Sequence, residues 1–263
     1  MNTNEIICGD NAKVLASFPD GCIDLTVTSP PYDNLRTYNG FTWDFDSLAA
    51  QLYRVTKPGG VVVWVVADAT INGSESGTSF RQALYFLGCG FNLHDTMIYE
   101  KINFIPLTHN RYEQAFEYMF VFSKGAVVTF NPMKDATLGN GSKYNLSRKG
   151  YSATIKEGAQ RRRDEDVVTK AEKIKRNIFS YTLGGDRLGH PAPFPESLAR
   201  DHILSWSNPG DLVLDPFIGS GTTAKMARET GRDFIGIDIS EEYCTLARRR
   251  VAAANIPLFE VSL

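Results

Sequence analysis

A hydroxyl, two prolines and a phenol follow one another directly after a short apolar run, and together they could hold a planar amine. The run covers residues 23–27 and is typical of a buried strand, and the residues beyond it include Ser29, Pro30, Pro31 and Tyr32. Each proline fixes its φ angle, lacks a backbone N–H and restricts the residue before it, so the chain forms a stiff extended corner. There the Ser29 hydroxyl and the Pro30 carbonyl can accept hydrogen bonds from an amino group while the Tyr32 ring stacks on its plane. A turn that merely closes the strand is the structural alternative.

A second stretch of comparable design lies far along the chain. Residues 215–223 read Asp-Pro-Phe-Ile-Gly-Ser-Gly-Thr-Thr, follow the apolar residues 212–214 and lead into a helix. A glycine-rich turn between strand and helix allows close backbone approach and lies where doubly wound sheets bind ligands. Neither a phosphate-loop lysine nor the G-x-G-x-x-G spacing is present, which favours a nucleoside-type ligand with a cationic amino-acid part. Asp215 can face its ammonium group, and Asp238 at the end of the next strand can accept both ribose hydroxyls.

Together the two stretches resemble the motifs of the DNA amino-methyltransferases. In that family (Asp/Asn/Ser)-Pro-Pro-Tyr holds the target base and Asp-Pro-Phe-x-Gly-Ser-Gly-Thr-Thr holds S-adenosylmethionine, and the order found here is similar to the beta class. The resemblance implies direct methyl transfer from S-adenosylmethionine to an exocyclic amino group of a base flipped out of duplex DNA. Adenine N6 and cytosine N4 both stay open, although Ser-Pro-Pro-Tyr is associated more with cytosine N4.

The resemblance also implies which other residues form the site. The predicted cofactor-binding residues are Asp215, Phe217, Gly219, Ser220, Gly221, Thr222, Asp238, His190 and Phe194. The family often has Lys-Pro where Phe194 and Pro195 stand, so a side-chain role for Phe194 is open. Asp10 follows the first strand and resembles an acidic residue near the base in the family, but it suits the N-cap of the next helix equally well.

Around these motifs, short apolar strands alternate with helical segments at both ends of the chain. This pattern predicts an α/β fold with a doubly wound, mainly parallel (mixed) sheet and helices on both faces, which the resemblance narrows to the class I methyltransferase type. Residues 1–130 and 188–263 would form the catalytic domain, with the base-holding half first and the cofactor half second. Residues 131–187 lack periodicity and are expected to be an irregular target-recognition insertion.

The charge of the chain is unevenly distributed. Residues 131–187 contain 13 of the 28 basic residues and seven of the 30 acidic ones, a net charge of +6, so the remainder carries −8. A basic segment on an acidic body is expected where one element meets phosphates, although a solvated surface segment could share that composition. The predicted contacts to double-stranded DNA are Arg36, Tyr38, Lys143, Arg148, Lys149, Arg161, Arg162, Arg163, Lys175 and Arg176, with Lys173 as a further basic candidate.

The remaining composition, 43% hydrophobic and 22% charged, is that of an ordinary globular protein. Four scattered cysteines without a C-x-x-C pair predict buried reduced thiols and no metal site. The chain has no apolar run of about 18 residues and no signal-peptide pattern at its start, so we expect a cytoplasmic protein, and the family implies a prokaryote or phage. Because no nuclease motif is present, the possible partners are a separate restriction endonuclease or none, and beta-class relatives are often homodimers.

Three other functions share parts of this pattern. Methylation of RNA bases uses the same chemistry, and only the lack of a separate RNA-binding module argues against it. Protein glutamine methyltransferases carry Asn-Pro-Pro-Tyr after their cofactor motif, whereas here Ser29 replaces the asparagine and the order is reversed. A DNA-binding protein with an inactive site is disfavoured because both motifs are intact.

Overall fold

The computed structural model describes residues 1–32, 43–103, 111–137, 143–145, 166–168, 170–182 and 195–254. Its strands are β1 (Glu5–Cys8), β2 (Ile23–Thr28), β3 (Thr56–Val66), β4 (Thr70–Ile71), β5 (Ser74–Glu75), β6 (Asn92–Lys101), β7 (Phe116–Ser123), β8 (Lys134–Ala136), β9 (Lys143–Asn145), β10 (Asp166–Val168), β11 (Glu172–Ile174), β12 (Ile178–Tyr181), β13 (Leu212–Asp215) and β14 (Asp233–Asp238). Its helices are α1 (Asn11–Ala16), α2 (Phe45–Val55), α3 (Thr78–Gly88), α4 (Glu196–Trp206), α5 (Thr222–Glu229) and α6 (Glu241–Ala252).

Eight strands form one mixed sheet in the order β1-β14-β13-β2-β3-β7-β6-β12. Each neighbouring pair is parallel except the two that involve β7, which runs against both β3 and β6. The prediction of a mainly parallel sheet is therefore confirmed.

Side-chain alternation along β3 explains why both faces of this sheet are covered. Val62, Trp64 and Val66 point to one face, where they pack with buried residues of α1, α2 and α3, such as Phe86. The intervening Val63 and Val65 are also fully buried or nearly so, on the opposite face, which α4 and α5 cover. A central strand that is buried on both faces is expected to be apolar throughout. The run Val61–Val66 consists of valine and tryptophan alone.

The parallel strands end at one edge of the sheet, and the predicted motifs meet there. Cys8 at the end of β1 lies opposite Asp238 at the end of β14, and Leu214 of β13 lies opposite Thr26 of β2. Since β7 runs in the other direction, it begins at the edge where β2 and β3 end. Ligands of such sheets bind at this edge.

The boundary predicted for the insertion is wrong at its C-terminal end. The chain divides into one compact unit of Met1–Asn131 with Asn177–Leu263 and another of Pro132–Arg176. Residues 178–181 were assigned to the insertion, but they pair with β6 and bury Phe179 and Tyr181, which alternate along the strand. The second unit is also not wholly irregular, because β8 pairs with β11 and β9 with β10, both antiparallel.

Two smaller expectations are also corrected. The sequence Lys-Pro-Gly-Gly at residues 57–60 is typical of a turn that ends a helix. In the structure these residues belong to β3, which starts at Thr56, and Thr56 pairs with Ile23 before a register shift in the ladder. The cysteines are not all buried: Cys244 is, Cys22 and Cys89 are half-buried, and Cys8 is exposed. Ligand atoms of Cys8, Glu241 and Cys244 lie within 4.8 Å of one another.

Among the helices of the described ranges, none is both long and apolar enough to cross a membrane.

Candidate active site

The four residues after β2, here called the proline corner (residues 29–32), carry a short chain of hydroxyl groups. Ser29 Oγ lies 2.8 Å from Tyr32 Oη. The Tyr32 hydroxyl in turn donates to Glu117 Oε2 at 2.7 Å, and the Tyr32 ring is half-buried against the hydrophobic core. Stacking of Tyr32 on a base stays a prediction, but its hydroxyl has a defined partner that the sequence alone did not indicate.

The turn after β13, here called the glycine loop (residues 215–221), starts with a buried carboxylate. Asp215 is 1% exposed and accepts hydrogen bonds from Thr28 Oγ1 at 2.6 Å, Thr223 Oγ1 at 2.7 Å and the Phe217 N–H at 3.0 Å. Burial raises the pKa of Asp215 to about 6, although the two hydroxyls and the amide oppose this shift. Contact with a ligand's ammonium group stays a prediction, whereas the observed contacts are internal and hold the loop against β2.

Asp238, at the end of β14, is half-buried and has backbone partners on both oxygens. It accepts from the Gly219 N–H at 3.0 Å and from the Ser240 N–H at 2.9 Å. Burial raises the pKa of Asp238, against these hydrogen bonds. Gly219 reaches this carboxylate with a φ of +47°, a left-handed conformation that favours glycine. The strand-end acid therefore supports the glycine loop and keeps further lone pairs for another donor.

The end of the glycine loop is clasped by an arginine from the last helix. Arg250 donates through Nη1 to Ser220 O at 2.8 Å, to Ser220 Oγ at 2.7 Å and to Thr222 Oγ1 at 3.3 Å. Its Nη2 bonds to Glu196, which also pairs with Lys225 at 2.7 Å. Cofactor contacts by Ser220 and Thr222 stay predictions, but their hydroxyls already take part in this ionic cluster.

Gly221 has a steric role that its position in the motif did not indicate. It adopts a φ of +88°, and a Cβ added to it would lie 2.8 Å from Ala247 Cα and 2.9 Å from Ala247 Cβ. The absence of a side chain therefore lets the start of α5 approach α6. A ligand contact at Gly221 stays a prediction.

Aromatic side chains pack beside the glycine loop. Phe217 meets Trp43 edge-to-face with ring centroids 4.9 Å apart, and both lie 6.3 Å from Trp64 of β3. Asn11 at the start of α1 donates to Pro216 O at 3.2 Å and thus supports the same loop from the other side of β14. A lone tryptophan in an aperiodic segment provides no signal for such a contact.

Asp10 has the geometry of an N-cap, one of the two roles that its position in the sequence left open. Its side chain accepts from the Lys13 N–H at 3.0 Å at the start of α1. A role of Asp10 near the base stays a prediction, and its position after β1 is on the same sheet edge as Asp238.

Some of the predicted site residues lie outside the described ranges, and others belong to the second unit. Those outside the described ranges are Arg36, Tyr38, Arg148, Lys149, Arg161, Arg162, Arg163, His190 and Phe194. In the second unit Lys143 begins β9, Lys173 and Arg176 are exposed, and Lys175 is half-buried. Their contacts with DNA stay predictions.

Sequence reasoning missed Glu117, Lys101 and Arg250. Lys101 Nζ lies 2.7 Å from Glu117 Oε1, and their side chains are only 20% and 12% exposed. The available signal was a charged residue near one end of each strand: Lys101 is the last residue of β6, and Glu117 is the second residue of β7. Arg250 sits among three consecutive arginines of α6, so its sequence does not distinguish it from its neighbours.

Comparisons with known proteins agree with this arrangement. A family model described as DNA methylase matches residues 23–249. The orphan methyltransferase M.BamHII of Bacillus amyloliquefaciens is 53% identical over 241 residues, which cover 88% of this chain and 89% of that protein. The type II methyltransferase M.SmaI of Serratia marcescens is 27% identical over 293 residues, with 95% and 91% covered.

Solved structures agree as well. TTHA0409 of Thermus thermophilus, described as a DNA modification methylase, matches with a TM-score of 0.66 at 27% identity, covering 97% of this chain and 96% of that one. It has also been solved with S-adenosyl-L-methionine, a match with a TM-score of 0.64 at 25% identity over 97% of both chains. The cytosine-N4-specific PvuII DNA methyltransferase shares the fold, with a TM-score of 0.68 at 19% identity over 100% and 92% of the two chains.

Both motifs, in the base-first order, occupy adjacent strand ends of a methyltransferase sheet. With the family match over most of its length, the chain belongs to the DNA methylase family and is a beta-class, S-adenosylmethionine-dependent DNA amino-methyltransferase.

Proposed function

We propose that the proline corner holds the target base by its exocyclic amino group and that the glycine loop with Asp238 holds S-adenosylmethionine beside it. One observation carries this proposal: the hydrogen bond from Thr28 to Asp215 ties together the strand ends that bear the two motifs. An amino group at Ser29 and a methyl donor at the glycine loop would then meet at the C-terminal ends of adjacent parallel strands.

The residues around Asp238 suit the nucleoside part of the cofactor. An ionised carboxylate offers about four acceptor positions, and the Gly219 and Ser240 N–H groups use two of them on Asp238. The remaining positions suit two ribose hydroxyls, and the aromatic surface of Phe217 and Trp43 suits a purine ring. When bound, S-adenosylmethionine supplies an electrophilic methyl group on a sulfonium.

The proline corner would activate the amine by accepting its protons. The lone pair of an exocyclic amino nitrogen is delocalised into the base, which makes the nitrogen a poor nucleophile. Hydrogen bonds to Ser29 Oγ and to the Pro30 carbonyl would localise this lone pair and direct it, so positioning and electrostatic stabilisation are the main catalytic effects. A base inside a duplex must first be flipped out, which costs a few kcal/mol that contacts in the site offset.

Cytosine N4 is the target that we propose, because the corner begins with serine as in the family members associated with that base. The test is incubation with S-adenosylmethionine and unmethylated DNA, digestion to nucleosides and mass spectrometry. N4-methylcytosine would support the proposal. N6-methyladenine would agree with the proposed chemistry but contradict cytosine as the target base. Methylation of RNA alone would contradict a DNA substrate.

Two variants test whether the base and the cofactor are held by separate parts of the site. Ser29→Ala should lose most turnover and keep its affinity for S-adenosylmethionine, because only the amine acceptor is removed. Asp238→Ala should instead weaken cofactor binding in calorimetry. Equal loss of both properties in both variants would contradict separate base and cofactor sites, and melting curves would identify a variant that is merely unfolded.

We further propose that the unit Pro132–Arg176 holds the DNA backbone. It contains 12 basic and six acidic residues, and its described basic side chains include the exposed Lys173 and Arg176. Replacing both by alanine should reduce DNA affinity on all sequences and lower the slope of log Kd against log salt by up to about two. Arg249→Ala, which removes an exposed arginine of α6, is the control.

The partner context is proposed from one relative. M.BamHII is named an orphan methyltransferase, and we propose that this chain likewise acts in the cytoplasm without a dedicated endonuclease. A homodimer stays a prediction. Light scattering of the purified protein during gel filtration, with and without DNA, distinguishes a monomer from a dimer.

A further inference from the structure

The hydroxyl chain of the proline corner continues into a half-buried ion pair. Starting from Ser29 Oγ, the successive heavy-atom distances are 2.8 Å to Tyr32 Oη, 2.7 Å to Glu117 Oε2 and, from the other carboxylate oxygen, 2.7 Å to Lys101 Nζ. Each oxygen of Glu117 thus has its own partner. Lys101 alone would be enough to pair with the charge of Glu117, so the hydrogen bond from Tyr32 to Glu117 needs a separate explanation.

The strand directions bring these groups together. In the antiparallel pair of β6 and β7, Glu117 lies opposite Tyr99, and Lys101 follows two residues later on the same face. Since β7 begins at the edge where β2 ends, Glu117 faces the proline corner. The side chains of Glu117 and Lys101 are 12% and 20% exposed, so their interaction is less screened than one at the surface.

The protons of this chain have one consistent arrangement. A carboxylate that pairs with Lys101 accepts only, so the single phenolic proton of Tyr32 goes to Glu117. Tyr32 Oη must then accept the proton of Ser29, because either atom of that pair could be the donor and the phenolic proton is already used. The lone pairs of Ser29 Oγ remain for a third group.

We propose that Glu117, held by Lys101, is a positioning residue and the terminal proton acceptor for the base at Ser29. The proposal rests on the proposed function, in which Ser29 accepts a hydrogen bond from the target amine. Without Glu117, the Tyr32 hydroxyl could donate its proton to Ser29 Oγ. The serine would then be free to point its own proton, rather than a lone pair, at the target amine.

The same chain balances the reaction. As the methyl C–S bond breaks and the N–C bond forms, the amino nitrogen becomes cationic while it still bears two protons. One of them passes to Ser29 Oγ, the serine proton passes to Tyr32 Oη, and the phenolic proton passes to Glu117. The products are a neutral methylamino base, S-adenosylhomocysteine and a protonated Glu117, which releases its proton to solvent before the next turnover.

A double-mutant cycle tests this role. Glu117→Gln and Tyr32→Phe should each lower the single-turnover rate about 10- to 100-fold, which is at or below the lower end of the usual contribution of general acid–base catalysis. The Kd of the cofactor and the KM for DNA should each change less than threefold. Because both act through one hydroxyl, Glu117→Gln should add no more than about threefold in the Tyr32→Phe background. Independent, multiplying losses would overturn the proposal, as would a wild-type rate in Glu117→Gln.

Two further variants separate positioning from simple folding. Glu117→Gln leaves Lys101 half-buried without its carboxylate, so Lys101→Met/Glu117→Gln removes both charges and should restore the melting temperature but not the rate. Recovery of the rate in that double variant would overturn the proposal. Glu100→Gln removes an exposed carboxylate, bonded to Ser180, from the neighbouring strand and should keep the wild-type rate.

The activity of the wild-type protein distinguishes a failure of this proposal from a failure of the proposed function. If the wild-type protein methylates DNA and Glu117→Gln does so at the same rate, only the role of Glu117 fails. If Ser29→Ala is also fully active, the proposed role of the proline corner fails as well.

Discussion

Thr28 donates a 2.6 Å hydrogen bond to Asp215, although 187 positions separate the two residues in the chain. The bond lies in the interior, since both residues are at most 1% exposed. It joins the end of β2, from which the proline corner departs, to the start of the glycine loop after β13. Together with the pairing of β2 and β13, this bond fixes the two motifs relative to each other.

Thr28→Val should loosen this connection while preserving the side-chain shape. Losing a hydrogen bond to a buried carboxylate should destabilise the protein by about 2 kcal/mol. We also expect about tenfold weaker binding of S-adenosylmethionine, measured by calorimetry. Thr26→Val is the matched control, because the buried Thr26 hydroxyl, two residues earlier, has no hydrogen-bond partner within the described residues. If the two variants behaved alike, the Thr28–Asp215 bond would not hold the site together.

The raised pKa of Asp215 predicts a specific dependence of stability on pH. Its pKa is about 6 in the folded protein against an ordinary value of 3.8, so the folded state binds this proton more tightly. The corresponding stability is fully present below the ordinary value and is lost as the pH rises through about 6. Asp215→Asn should therefore be relatively more stable, compared with the wild type, at pH 7 than at pH 4. Melting temperatures of both proteins across this range measure the difference, and parallel curves would contradict the prediction.

Arg250→Met should release the end of the glycine loop. The variant loses the hydrogen bonds to Ser220 and Thr222 and leaves Glu196 paired with Lys225 alone. We expect a loss of about 2 kcal/mol in stability and several-fold weaker cofactor binding. The exposed Arg249 lies beside it on α6, so Arg249→Met should change neither quantity. Unchanged cofactor affinity in Arg250→Met would mean that the loop holds its shape without the arginine.

Gly221→Ala should be more damaging than its conformation alone predicts. Gly221 and Gly210 have similar φ angles, +88° and +86°, so an alanine suffers comparable backbone strain at either position. Only at Gly221 would the new Cβ collide with Ala247, at 2.8 Å from its Cα, whereas Gly210 has open space. We expect Gly210→Ala to cost about 1 kcal/mol and Gly221→Ala about 3 kcal/mol or more in denaturant unfolding. Equal costs would show that α5 can move away from α6.

Local sequence determined much of this protein. Apolar runs predicted the main strands. Serine is also a residue type that favours helix N-caps, and the Ser240 side chain accepts from the Tyr243 N–H at the start of α6. The two motifs indicated the family and the order that marks its beta class. These features are readable because they depend on residues adjacent in the chain: proline restricts its neighbours, glycine permits left-handed turns, and side-chain periodicity follows the element.

Only the tertiary structure decided which groups the motifs touch. The burial of Asp215 by Thr28, the support of Ser220 by Arg250 and the contact between Tyr32 and Glu117 join residues 187, 30 and 85 positions apart. Strand order and direction create these contacts, above all the reversal of β7, which brings its first residues to the edge where β2 ends. The boundary after Arg176 was missed for the same reason, because β12 is short and becomes a strand by pairing with β6. A hydrogen bond across the sheet has no periodicity along the chain, so its partners emerge only when the strands are assembled.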